Sequence, residues 1–304
     1  MTEQSEQPEH DTVRTQTFPV DGPVELNLEV TLGRVEIELS AGATEAAVEV
    51  RHDPTVREPW AQGVTSLLSW VSERFGDQIG GDLRGTPADA LRQARIERTG
   101  NRLVVHASKA LPLRNIPLAV MVHAPAGTHL SIRAGSADVT VTGTCGRADV
   151  LSGTGEVKLE RAEGAAVVRT GSGAIRLGPT PAGLQLRTGS GDVEAASLSG
   201  SATLATGTGD IWLGATSGEV LVRSGSGDVT VAEAAGGSLE LITGSGDVRI
   251  GVGPGVLAEV DLTAAAGKVR SELDVALDPP EEEVPLRVRA RTGSGTAVVT
   301  RATQ

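Results

Sequence analysis

The strongest constraint on the fold is a spacing. A turn of the type T-G-S-G-D-V recurs with its first residue at Ala134, Ser152, Thr170, Thr188, Thr206, Ser224 and Thr243, at intervals of 18, 18, 18, 18, 18 and 19 residues. A fixed period of this size marks a solenoid, in which one copy cannot cover its own apolar side and does so by stacking on the next. Around each turn the side chains alternate with period two, as half-buried strands require. Leu184/Leu186, Val220/Val222 and Leu239/Leu241 before the turn, and Val193/Ala195, Ile211/Leu213, Val229/Val231 and Val248/Ile250 after it, are therefore assigned to the core. Arg187, Glu194, Trp212, Arg223, Thr230, Glu240 and Arg249 fall between them and are assigned to the outside.

The fold class that follows is all-β: a single-stranded parallel β-helix, or β-solenoid, with rungs of about 18 residues, a short third strand per rung and a small helical insertion. With 39 glycines and 2% aromatic residues, its interior has to be filled by Val, Leu, Ile, Ala and Thr. Looser copies of the turn lie at Ala265-Ala266-Gly267-Lys268-Val269 and Thr292-Gly293-Ser294-Gly295-Thr296, separated by an acidic, proline-bearing loop at 278–285.

Upstream, residues 1–15 are polar and expected to carry no fixed structure. Residues 16–53 read as degenerate rungs, with Val24–Leu28 before Thr31–Ile37 in the same strand, turn, strand order. The stretch 54–98 breaks the pattern and is expected to be helical, while 99–304 resumes the solenoid. Trp60, Val64, Leu67, Leu68, Val71 and Phe75 form one helical stripe, and a second helix is expected after Thr86-Pro87, from Ala88 to Ile96.

A formal charge of −12 and the absence of a Lys/Arg cluster exclude a phosphate-backbone partner, so no nucleic acid is expected. The start of the chain has neither the basic nor the apolar segment of a secretory signal, and no run is apolar enough to span a bilayer; a cytoplasmic protein is expected. The lone Cys145 has no disulfide partner.

Stacking the turns puts Asp138, Asp192, Asp210, Asp228 and Asp247 in one column, with Glu156 in register and Ala174 interrupting it. Such a carboxylate ladder offers oxygen ligands of the kind Ca²⁺ takes, but Asp also favours turns by bonding nearby backbone N–H groups. The spacing does not match the calcium-binding nonapeptide, so a structural turn column is the expectation and no metal or cofactor is assigned. Arg133, Arg169, Arg187, Arg223 and Arg291 form a second column, broken at Ala205 and Ile242. It is read as charge balance along the stack, with an acidic-ligand groove as the alternative.

No G-x-S-x-G turn, H-E-x-x-H helix or G-x-x-x-x-G-K-[ST] loop is present, and all five histidines precede the regular rungs. A non-enzymatic protein is expected. Trp60, Trp70 and Phe75 are three of the five Trp or Phe residues, so Trp60, Leu67, Trp70 and Phe75 are the candidate docking residues, set against a cap over one end of the solenoid.

The Thr188-Gly189-Ser190-Gly191-Asp192-Val193 motif and its copies resemble the bacterial β-strand-repeat family named "putative adhesin", related to the head GIN domain group. That resemblance covers about Leu130 to Thr300, more weakly Val24 to Val50. It implies a right-handed coil, in line with the general hand of parallel crossovers, and it transfers no catalytic residue. The combined expectation is a cytoplasmic scaffold or protein-interaction module that binds a protein partner or self-associates. The alternative is an adhesin-type protein that binds carbohydrate or another cell-envelope ligand.

Overall fold

The computed structural model describes residues 13–55, 86–274 and 284–302. The polar start up to residue 12, the stripe from Trp60 to Phe75 and most of the acidic loop lie outside these residues.

Two ladders of parallel strands run through the regular rungs, a leading wall built before each glycine turn and a trailing wall built after it. In the leading wall Ala166–Ser172, Leu184–Ser190, Ala202–Thr208, Glu219–Ser226 and Gly237–Ser245 pair successively. In the trailing wall Ile175–Leu177, Val193–Leu198, Ile211–Thr216, Val229–Ala234 and Val248–Val252 do the same. In place of a third strand, the far corner contributes one isolated bridge among the described residues, Thr180 to Leu198.

Every pairing is offset by one period, so like stacks on like. Leu186 stands on Leu204, Val222 and Leu241 in turn, and Val193 on Ile211, Val229 and Val248. These side chains join one continuous apolar cluster. Leu204 and Val222 are 0% exposed, and complete burial of such a side chain contributes about 1.5–3 kcal/mol.

In the regular rungs the turn requires glycine at its second glycine position, which Ala137 occupies in the first copy. Gly191, Gly209 and Gly227 have φ of 145°, 128° and 136°. A Cβ there would also fall 2.3, 2.4 and 2.2 Å from the carbonyl oxygen of the glycine one rung away. Any side chain would therefore be strained and would push the rungs apart.

Chain order is not followed at the ends of the stack. Glu25–Ser40 forms one full rung, in parallel register with His129–Cys145 on one side and with Arg102–His106 and Leu118–Pro125 on the other. Glu25–Ser40 is thus a rung of the coil whose neighbours on both sides come from much later in the chain. Beyond them the pairing turns antiparallel: Arg95–Thr99 on Arg102–His106, Glu45–His52 on Leu118–Pro125, and Val13–Pro19 on Glu45–His52. At the other end Leu286–Arg301 packs onto Gly237–Ser245 and Val248–Val252, and Ala258–Ser271 is the outermost rung.

The helix that follows Thr86-Pro87 spans Pro87–Gln93, with Thr86 and Asp89 closing a capping box and Pro87 in the first turn. Its C-terminal carbonyls, Leu91 O and Arg92 O, accept from Arg14 at 3.2 Å each. The expected run to Ile96 is cut short. Ala94 adopts an extended conformation, and Ile96 enters a strand opposite Val105 and is buried there. Ladder bonds and burial outweigh the helical propensity of the segment.

Candidate functional site

The aspartate column is held by the backbone. Asp192 Oδ1 accepts from Asp210 N at 3.0 Å, Asp210 Oδ1 from Asp228 N at 2.8 Å, Asp228 Oδ1 from Asp247 N at 2.8 Å, and Asp247 Oδ1 from Thr296 N at 2.8 Å. Asp138 stands apart from these four beyond Ala174, and its Oδ1 accepts from Glu156 N at 2.8 Å. Each carboxylate thus satisfies the first amide after the corner of the next rung, a donor that the sharp turn takes out of the ladder. Among the described residues no cluster of three or more His, Cys, Asp or Glu is placed to hold a metal ion.

Beside this column, on the outer side of the trailing wall, lies a shallow groove of about 320 Å³ lined by Arg176, Asp192, Glu194, Asp210, Trp212, Asp228, Thr230 and Arg249 among others. Trp212 is 42% exposed at its centre. The row it belongs to reads Thr140, Lys158, Arg176, Glu194, Trp212, Thr230, Arg249, each in register with the next. Arg176 is tied to Glu156 and, at 3.5 Å, to Glu194. Arg249 is tied to Asp228 at 3.3 Å and to Asp247 at 2.7 Å. The sequence places Trp212 on the outside and gives it no role; the available signal was that it is the one aromatic between Thr140 and Arg249 in this row.

The arginine column lies on the leading wall, across the glycine turn. There a groove of about 460 Å³ is lined by Leu151, Arg169, Arg187, Ala205 and the glycine floor of Gly171, Gly189 and Gly207. Arg169 Nη2 donates to Gln185 Oε1 at 3.2 Å. Arg169 and Arg187 stand directly opposite each other. Leu151 and Ala205, on the two neighbouring rungs, cut the positive row short.

Trp60, Leu67, Trp70 and Phe75 lie outside the described residues. Cys145 is buried, and burial pushes its thiol up to about 11, which makes it an inert member of the core rather than a nucleophile. No helix among the described residues is long and apolar enough to cross a membrane.

A family model described as Toastrack DUF4097 matches residues 119–284. No curated protein matches the sequence. Among solved structures, a "putative adhesin" from Bacteroides fragilis NCTC 9343 is 13% identical, with 95% of this chain and 97% of that chain covered and a TM-score of 0.44. A "putative lipid binding protein" from Parabacteroides distasonis ATCC 8503 is 10% identical, with 96% and 98% covered and a TM-score of 0.42. A "putative adhesin" from Parabacteroides merdae ATCC 43184 is 10% identical, with 96% and 98% covered and a TM-score of 0.29.

Proposed function

The chain belongs to the Toastrack DUF4097 family, and from that premise we propose that it is a non-catalytic β-solenoid scaffold, a protein-interaction module that works in the cytoplasm. The observation that supports this reading is the division of labour across each strand. Inward residues close on one apolar cluster, while outward residues repeat in straight, exposed rows along two walls. A rigid surface with side chains at fixed spacing of about 4.8 Å suits recognition, as in other solenoids whose neighbouring rungs jointly present a binding face.

The test is affinity capture from native lysate with the full chain and with a variant in which 56–85 is replaced by a short Gly/Ser linker, together with cell fractionation. The deletion stops at 85 because Pro87–Gln93 and Arg95–Thr99 pack on the fold. Capture of one defined protein by the full chain from the soluble cytoplasmic fraction supports the reading, and its loss on deletion assigns docking to the Trp60 segment. Capture of nothing by either variant, or recovery of the protein only outside the cell, overturns it. A second reading, an adhesin-type protein that binds carbohydrate or another envelope ligand, draws on the groove around Trp212.

A further inference from the structure

We infer that the groove centred on Trp212 is a binding site for a neutral saccharide, with the indole as a stacking platform for one face of a pyranose ring. The proposal deepens the adhesin-type reading and does not depend on the scaffold reading.

Trp212 departs from its neighbours along the row. Its row is polar in every other rung from Thr140 to Arg249, and 42% of the residue is exposed. The neighbouring rungs carry Glu194 and Thr230 at that position, so the register itself does not call for an aromatic. Tryptophan combines a large apolar area with few rotatable bonds, which is why it serves as an anchor at binding surfaces.

The ring edge lies close to its own strand. A Cβ on Gly214 would lie 3.3 Å from the indole Cη2, so the ring edge runs along its own strand above the glycine. The next row out, Gly178, Ala196, Gly214 and Ala232, is a shelf of small residues.

The polar rim selects the chemistry. Asp192, Glu194, Asp210 and Asp228 line the groove, and four carboxylates reject an anionic ligand. The guanidinium groups of Arg176 and Arg249 lie on either side of Trp212 along the row, two rungs away from it in each direction, and oppose a cation that extends along the groove. A quaternary ammonium group is further disfavoured because its recognition uses a cage of several aromatics, and Trp212 is the sole aromatic lining the groove. A neutral ligand with an apolar face and a ring of hydroxyls satisfies every member of the set. The second carboxylate oxygens of Asp192 and Asp210 are available as acceptors, since the bonds above engage only Oδ1. The arginines donate. A hydroxyl does both.

The rim is also preorganised. The aspartates are pinned by backbone amides; Arg176 pairs with carboxylates on both flanking rungs, and Arg249 with Asp228 on the neighbouring rung and Asp247 on its own. Little side-chain freedom remains to be lost on binding. The groove is shallow and has a single platform, so the affinity for a monosaccharide unit is expected on the order of millimolar.

The test is saturation-transfer difference NMR of the full chain with glucose, galactose, mannose, N-acetylglucosamine and their disaccharides, and with tetramethylammonium and glucuronate as charged probes. The expected result is transfer to the ring C–H protons of at least one neutral sugar, weakened about tenfold or more in Trp212→Ala and retained within a few-fold in Trp212→Phe. Trp212→Thr, which copies the adjacent rung, supplies a variant that keeps the fold and loses the sugar. Arg187→Ala, on the other wall, leaves binding unchanged. Absence of transfer from every neutral sugar, transfer that survives both Trp212→Ala and Trp212→Thr, or a Trp212-dependent preference for tetramethylammonium or glucuronate overturns the proposal. Fractionation decides the compartment separately, so failure of the sugar site and failure of the adhesin-type reading are told apart.

Discussion

Within the row of anchor residues, small differences in hydrogen bonding separate otherwise equivalent positions. Thr206 Oγ1 donates to Thr208 O at 3.0 Å, and Thr243 Oγ1 donates to Gly227 O and Ser245 O at 3.1 Å each. Thr188 Oγ1, equally buried, has no partner. A buried hydroxyl without a bond costs about 1–3 kcal/mol, whereas a bonded one contributes about 1. Thr188→Val should therefore raise stability by about 1 kcal/mol while Thr243→Val lowers it by at least as much, and denaturant melts of both variants check the opposite signs. A second residue sets the acid behaviour. Asp53 is 1% exposed. Burial pushes its carboxyl up, but hydrogen bonds from Thr55 and the charges of Arg34 and Arg51 outweigh burial and hold it below the ordinary value of 3.8. A carboxyl lowered by folding stabilises fully above its unfolded value, and that contribution is lost as pH falls through the folded value. The melting temperature of the protein should thus drop on acidification below the ordinary carboxylate range, and Asp53→Asn, less stable at neutral pH, should show a shallower drop.

At the level of the rung, the question is whether the aspartate column acts through its charge or through its acceptor. Asp192, Asp210 and Asp228 stack as like charges, which is unfavourable across strands, yet each accepts an amide one rung on. Asp210→Asn keeps the Oδ1 acceptor and removes one repulsive charge, so stability should hold or rise slightly. Asp210→Ala leaves Asp228 N without its acceptor and should cost about 1 kcal/mol. Equal losses in the two variants would make the charge, not the acceptor, the operative feature. The repeat was legible in the sequence because most rungs solve the same local problem in the same way: glycine where φ is positive and backbone approaches backbone, an apolar residue at every second position, and a carboxylate at the corner, with Ala137 and Ala174 as departures. The end elements were not legible, because they are set by pairings between distant segments. Nothing local in Arg95-Ile96-Glu97-Arg98 distinguishes a helical turn from a strand; the partner Arg102–His106 decides. The Trp212 groove combines residues from several rungs, and only the register brings Arg176, Glu194 and Arg249 around the indole.

Across the whole molecule, stability should follow position in the stack rather than position in the sequence. In a solenoid each rung interacts with its two neighbours, so an end rung has one interface and an inner rung two. Ala258–Ser271 is the end rung, with Val269 50% exposed, and among the described residues its ladder partner is Leu286–Arg301 alone. The last strand of the chain is therefore an inner rung. Removing residues 286–304 should strip two rungs, because Ala258–Ser271 loses the surface it stands on. Replacing 255–283 by a short linker, comparable to the one by which Ala234 reaches Gly237, should strip only one. The C-terminal truncation is accordingly expected to lower the melting temperature more than the longer internal deletion. Hydrogen exchange resolves the same gradient in the intact chain: amides of Ala258–Ser271 should exchange well ahead of those in Leu286–Arg301, and those around Leu204 and Val222 should exchange last, near the global unfolding limit. If the two strands at this end exchange together, they behave as one cooperative unit and the nearest-neighbour description fails there. If the C-terminal truncation proves the milder change, the inverted order of the last two rungs is wrong.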